Sequence, residues 1–452
     1  MKAASEEPMP PGIRNAYIFQ MFNACSFSIF LGTPVLLYFK SLGASVTVLG
    51  IVTAMTPLLN ILQIPMAKYV EVVGYRSFVL RGWFIRSFFV LGALMVPLFP
   101  DSIDSATKMM LMLAMLFCYN LSRGMSACGF MPWMTQLVPE SCRARFLKWD
   151  QIAAYGAIVT ASIGSALLLR WQSGPVGFAL LFAVSYLAAL ISLYFLRHMP
   201  DVEVDRNSST SKEPVPWKRM LGYQPFTKLL WFNGVMLVGW AGNGVIVIPM
   251  LRDRFEVSDS MFMILNGAWS LVFVISLLGM GKMSEWAGNK PVLGLSMFFQ
   301  LLHFGGWGLI AAGVLPFHPL SIAFQQVTWG ICLSLFNVAN TRLVMGIVPR
   351  MGMSHFFALF SVVTSLVAGI APVCWGLAAD VLETLDARWG GVEINAFSVL
   401  YLGVFLCTIA AAALLGRVEE PAAMGHQAFI KELVARTPAR AIPRLFKKSL
   451  WP

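Results

Sequence analysis

The chain has 452 residues, 58% hydrophobic and only 12% charged, with a net charge of +11 and a mean hydropathy of +0.71. Soluble domains average about 25% charged residues, so this composition excludes an ordinary soluble enzyme. The basic excess does not point to nucleic acid either, because the lysines and arginines are dispersed among short loops flanking apolar segments.

The first residues, 1–14, are polar and run into a full-length apolar segment, without the short apolar core and cleavage site of a secretory signal. Apolar blocks of about 20 residues then recur, the length of helix that crosses a hydrocarbon core roughly 30 Å thick. They predict twelve membrane helices, at 15–39, 46–67, 78–99, 108–137, 149–170, 176–196, 226–250, 260–281, 291–313, 319–347, 354–379 and 396–416. Blocks this long are helices and not the shorter alternating strands of an outer-membrane barrel. A polar, proline-containing stretch divides them six and six. The predicted organisation is a cytoplasmic N-terminus 1–14, a first half 15–196, a cytoplasmic linker 197–225, a second half 226–416 and a basic cytoplasmic tail 417–452. The seven cysteines include no Cys-x-x-Cys pair and mostly sit in apolar segments, so they read as packing residues.

Orientation follows from the cations. With the N-terminus inside, inner segments carry 23 lysines and arginines, and outer loops carry six: Lys40, Lys108, Arg170, Arg252, Arg254 and Arg388. That bias predicts both termini in the cytoplasm.

Two motifs occur twice. Ala67-Lys-Tyr-Val-Glu71-Val-Val-Gly74-Tyr-Arg76 follows the second helix, and Gly281-Lys-Met-Ser-Glu285-Trp-Ala-Gly288-Asn-Lys290 follows the eighth. Val138-Pro139 with Arg143, Arg145 and Phe146 ends the fourth helix, and Val348-Pro349 with His355 and Phe356 ends the tenth. Offsets of 214 and 210 residues fit a single duplication. Locally, a carboxylate at a helix end can cap a neighbouring helix N-terminus and pair with arginine, while the loop cations sit at anionic headgroups.

With these paired motifs the chain resembles the major facilitator superfamily (MFS), whose loop signature between helices 2 and 3 is Gly-x-x-x-Asp-x-x-Gly-x-basic. Here Ala67 replaces the first glycine, Glu71 the aspartate, and His355 an arginine of the second copy. The resemblance implies an all-α polytopic fold of twelve transmembrane helices in two pseudo-symmetric six-helix halves. Helices 1, 4, 7 and 10 would line a central cavity, with 2, 5, 8 and 11 behind them and the rest outside. It also implies alternating access, with a cytoplasmic gate at Glu71, Gly74, Arg76, Arg143, Arg145, Glu285, Gly288 and Lys290.

Ionisable groups inside a span are functional candidates, because burying one in lipid is costly. Arg123 lies about 14 residues, roughly 21 Å of helix rise, from the inner end of its helix. A guanidinium there suits a carboxylate or phosphate. Asn120 shares its face. Gln20, Asn23, Asn233, Asn243, Asn337 and Asn340 are further substrate-binding candidates, with Trp240, Gln326 and Trp329 beside them. Each alone equally suits a helix–helix hydrogen bond. Arg86 is expected to pair or snorkel, and His303 to be satisfied structurally.

No Asp or Glu is expected mid-membrane, and helix 5 lacks the Gly-Pro element that the family's drug–proton antiporters carry. The expectation is therefore a membrane transporter of a small, anionic solute. The alternative is a non-transporting MFS-fold assembly factor or scaffold. No nucleophile–base pair, metal cluster or phosphate loop argues for an enzyme or a cofactor. The partners expected are the lipid bilayer and the solute, with no nucleic acid. The tail, alternating basic and apolar groups, suits either the inner leaflet or water and names no protein partner. A bacterial cytoplasmic (inner) membrane is the default location.

Overall fold

The structure, a computed structural model, describes residues 12–100, 102–138, 140–202, 217–280, 283–347, 353–420 and 423–436. In chain order the long helices are α1 (Ile13–Ser41), α2 (Val46–Met66), α3 (Tyr75–Leu98), α4 (105–137), α5 (Glu140–Trp171) and α6 (Pro175–Arg197). They continue with α7 (Gln224–Arg254), α8 (Asp259–Met280), α9 (Asn289–Ala311), α10 (Pro319–Ile347), α11 (Met353–Val381) and α12 (Ala396–Arg417). Eleven stretches among the described residues are long and apolar enough to cross a membrane. The long helix below that standard is α4. Lys108, Asn120, Ser122 and Arg123 dilute its hydropathy, and a 3-10 turn at Ala127–Gly129 separates Ser105–Ser126 from Phe130–Leu137. Large apolar side chains such as Phe88, Leu187, Ile275 and Leu406 stand exposed along the helices, which suits a lipid-facing wall.

Local chemistry sets the helix ends. Asp104 is the N-cap of α4, accepting hydrogen bonds from Thr107 N (3.1 Å) and Thr107 Oγ1 (2.6 Å). Those two bonds hold its carboxyl below the usual carboxylate range. A carboxyl lowered by folding stabilises above its unfolded pKa, and that stabilisation is lost as pH falls through the folded value. Asp104→Asn should therefore melt below wild type at pH 7, and the gap should close toward pH 2, read by thermal unfolding in detergent.

Gly74 before α3 and Gly288 before α9, corresponding positions of the duplicated loop motif, both have φ of +88°, a conformation glycine adopts without strain. The loop between α11 and α12 forms an antiparallel hairpin of β1 (Asp386–Trp389) and β2 (Val392–Asn395), pairing Asp386 with Asn395 and Trp389 with Val392. Gly390 and Gly391 supply the two positive φ angles of its turn. The sequence pattern predicts only a loop here, because the two strands are just four residues each. After α12, α13 (His426–Arg436) seats Phe429 in a cluster with Met220 and Phe226.

The face bearing the hairpin is called the hairpin face, and the opposite one, from which Arg76 and Lys290 project, the basic face. The first six helices and the last six meet along two seams, α2 against α11 and α5 against α8. Polar bridges between them, among the described residues, occupy the hairpin-face and central part of the molecule. The Asp380 carboxylate accepts from Val46 N (3.1 Å) and Thr47 N (3.3 Å), and Lys40 pairs with Asp253 at 2.7 Å. Arg252 donates to the Leu37 carbonyl, Ser260 to that of Ala166, and Asn266 to the Ser162 hydroxyl.

Candidate functional site

Arg123 sits midway along α4, half-buried. Its Nη1 donates to Asn60 Oδ1 on α2 at 2.7 Å, and its guanidinium carbon lies 5.0 Å from the Phe27 ring on α1. An amide oxygen is a neutral acceptor, and one such bond leaves most of the five guanidinium donors for another group. Among the described residues no acidic side chain pairs with it. Asn60, a lone asparagine in an apolar span, is a partner the sequence reading did not single out.

Arg86 does not snorkel. It is only 4% exposed, donates to Asn23 Oδ1, and lies 4.1 Å from the Trp83 ring centroid and 5.6 Å from that of Tyr119. Asn23 is thus engaged by Arg86. Through Tyr119, Arg86 stands one helical turn of α4 from Arg123.

The predicted polar residues divide between the two halves of the molecule. Asn120 is buried and tied to its neighbours, with Oδ1 accepting from Thr56 and Nδ2 donating to the Leu116 carbonyl. Gln20 is half-buried. Asn233 and Asn340 bond to each other at 2.7 Å, joining α7 to α10. Asn337 is exposed and donates to the Leu333 carbonyl of its own helix.

Asn243 lies in different surroundings. It lines a cavity of about 220 Å³ under the hairpin-face seam, with Thr33, Asn266, Trp269, His303, Trp307, Gln326 and Trp329. The cavity borrows from α8 and α9, helices expected behind or outside the central ones. Residue type alone pointed to Gln326 and Trp329; Asn266, Trp269 and Trp307 were missed. His303 is satisfied on one side only: its Nδ1 lies 3.0 Å from the Gln325 carbonyl, while its ring stacks on Trp329 at 4.7 Å. On the wall from the first half, α1 breaks between Phe30 and Thr33, placing irregular backbone where it borders a cavity and not lipid.

At the basic face, Arg76 donates to the Arg197 carbonyl at the end of α6, and Lys290 Nζ donates to the carbonyls of Gly416 (2.9 Å) and Val418 (2.7 Å) after α12. Each motif cation therefore clasps the last helix of its own half. The carboxylate that caps α9 is Glu420, which accepts from Asn289 N (3.0 Å) and Lys290 N (2.6 Å). The side chains of Glu71, Arg143, Arg145 and Glu285 lie outside the described residues.

A profile of the Major Facilitator Superfamily matches residues 16–372. No curated protein sequence gives a significant match. Among solved structures, a D-xylose–proton symporter aligns over 90% of this chain and 97% of its own, at 13% identity and a TM-score of 0.69. The nucleoside transporter NupG, as a mutant, aligns over 90% and 100% at 12% identity and 0.66. A bacterial homologue of the iron transporter ferroportin, in an inward-facing state, aligns over 90% and 97% at 12% identity and 0.65. At these identities the likeness is one of fold.

Proposed function

The chain belongs to the major facilitator superfamily, a family of membrane transporters and not of enzymes, and on that premise we propose that its solute is a small anion held by Arg123. The observation that carries the reading is a mid-membrane guanidinium bonded to one neutral amide and paired with no acid among the described residues. Arginine's planar fork suits carboxylate and phosphate oxygens, and a desolvated charge finds its strongest partner in an opposite one.

The distribution of contacts supports alternating access. The halves are bridged toward the hairpin face, while Arg76 and Lys290 are held within their own halves. This suits a carrier closed outside and open to the cytoplasm, the side that the positive-inside bias assigns to the basic loops. In the opposite state Arg76 and Lys290 would exchange these carbonyls for groups of the other half, together with Glu71, Gly74, Arg143, Arg145, Glu285 and Gly288.

The test is uptake of a panel of radiolabelled organic and inorganic anions by proteoliposomes, with wild type beside Arg123→Gln. Losing a charge-assisted contact of roughly 1.5–3 kcal/mol should raise the half-saturating concentration of the accepted anion by about 10-fold or more. The reading falls if the variant takes up that anion as well as wild type does. It falls equally if no anion enters through folded wild type, the result an assembly factor would give.

A further inference from the structure

The cavity beneath the hairpin-face seam differs in chemistry from the surroundings of Arg123. No Lys, Arg, Asp or Glu lines it. Gln326 is 9% exposed, and its amide has no hydrogen-bond partner among the described residues. The indole N–H of Trp329 likewise has no protein acceptor among them. Asn243 Oδ1 accepts from the Tyr401 hydroxyl at 3.3 Å, which leaves the Asn243 N–H groups to the cavity. A carbonyl can only accept, so the hydrogen of neutral His303 lies on Nδ1 against Gln325, and Nε2 is left as an acceptor. Donors and acceptors thus stand side by side against flat aromatic walls: Trp329 stacked on His303, with Trp240 edge-on at 5.8 Å.

We infer that this cavity recognises an uncharged, hydrogen-bonding ring on the transported anion, seated against Trp329 and His303 and read by Gln326 and Asn243. The inference rests on the assignment of the anionic group to Arg123. A charged group in the cavity would have no counter-ion, whereas a ring with hydroxyl, carbonyl or N–H edges would satisfy the unpartnered amides and lay its apolar face on indole. The volume of about 220 Å³ equals some seven waters at their liquid volume, enough for one substituted ring and not a fused polycycle. Phe27, beside Arg123, and Thr33, on the cavity wall, are six residues apart on α1, three of them helical and three across its break, a separation of at most about 15 Å. A ligand that fills the cavity and reaches Arg123 therefore spans on the order of 10 Å, the length scale of a nucleoside or sugar phosphate.

The experiment measures ligand-induced thermal shifts and competition for uptake with the full-length purified protein. Uridylate and glucose phosphate serve as ring-bearing anions, glycerophosphate as the ringless anion, and uridine and glucose as uncharged rings. Gln326→Leu and Trp329→Phe should weaken one ring-bearing anion about 10-fold while leaving glycerophosphate within twofold of wild type. Arg123→Gln should weaken the ring-bearing anion and glycerophosphate alike. Which of uridylate and glucose phosphate binds tells a heterocyclic ring from a saccharide. Equal loss of all anions, or of none, in the Gln326 and Trp329 variants overturns the ring site and leaves the Arg123 reading standing. Binding of uridine or glucose that ignores Arg123→Gln but fails in Gln326→Leu overturns the anion reading, and with it the ring-on-anion inference. Trp329→Phe keeps an aromatic face but removes the N–H together with part of the ring, whereas Gln326→Leu nearly conserves side-chain volume, so agreement between the two separates lost hydrogen bonding from lost packing.

Discussion

Valine in place of Gly376 is expected to hold the transporter open at the hairpin face and to reduce transport to less than about a tenth. A β-carbon built at Gly376 would lie 2.7 Å from Thr47 Cα and 2.8 Å from the Val46 carbonyl oxygen. One built at Gly50 would lie 2.5 Å from the carbonyl oxygen of Pro372. Both neighbours are backbone of the opposing half, so no side-chain rotation relieves the overlap. The α2–α11 seam closes only because two glycines let the helices approach to backbone contact, as small residues do in membrane helix pairs. Asp380 then adds its carboxylate to the N-terminus of α2, where two free N–H groups and the helix dipole favour an anion.

Overpacking of this kind costs roughly 1–3 kcal/mol, which shifts a two-state equilibrium by about 5- to 150-fold toward the state in which the seam is parted. The measurement is labelling by a membrane-impermeant thiol reagent at a cysteine substituted for Thr33, in a cysteine-free background, because Thr33 lines the cavity shared by the two halves. Gly376→Val should raise the labelling rate from the hairpin side by an order of magnitude, Gly376→Ala by less. Asp380→Asn, which removes charge and keeps shape, should raise it several-fold. Unchanged labelling with normal transport in Gly376→Val would show that this seam does not gate access.

Much of this architecture was legible because it follows from one-dimensional quantities. Apolar length located the helices, and the predicted 108–137 helix overlaps α4 even though α4 is polar and interrupted by a 3-10 turn. The paired glycines of the repeat were legible for a similar reason: a loop that must turn sharply takes glycine, and Gly74 and Gly288 share one backbone conformation. Hydropathy does not report azimuth. Nothing in the spacing of α3 tells whether Arg86 faces lipid, headgroups or a neighbouring helix; it is buried against Asn23 and Trp83 because α1 and α4 occupy that side.

The cavity was hidden for the same reason. Its walls come from five helices whose rotations are fixed by tertiary packing, and α9 reaches it with His303 and Trp307 from a position where sequence order suggested an outer helix. The cap on α9 shows a further limit. A carboxylate was expected to cap a neighbouring helix, and one does, but it is Glu420, some 130 residues along the chain from its partners. Chemistry of this sort can be anticipated as a type of contact before its partners can be named.

Asn23→Leu should destabilise the folded protein by roughly 3 kcal/mol, more than most single substitutions. Arg86 is buried with its guanidinium over Trp83 and donates to the Asn23 side chain. Leucine removes the acceptor and leaves the charge in place, without water to replace the lost bond. Stacking on Trp83 and Tyr119 offsets only part of this, since a cation–π contact contributes about 1–2 kcal/mol when desolvated. The double variant Asn23→Leu with Arg86→Met should recover most of the loss, because apolar side chains replacing a buried polar pair are often neutral or stabilising. Thermal unfolding of the four proteins in one detergent closes the cycle, and a double variant as unstable as Asn23→Leu would show that Asn23 acts by packing alone. Function should not recover in parallel. Arg86 stands over Tyr119, one turn of α4 from Arg123, so its charge adds positive potential there, which favours an anion beside Arg123. The restored double variant should therefore bind the transported anion several-fold more weakly than wild type while melting close to it. That separation would mark Arg86 as a charge kept for the solute at the expense of the fold.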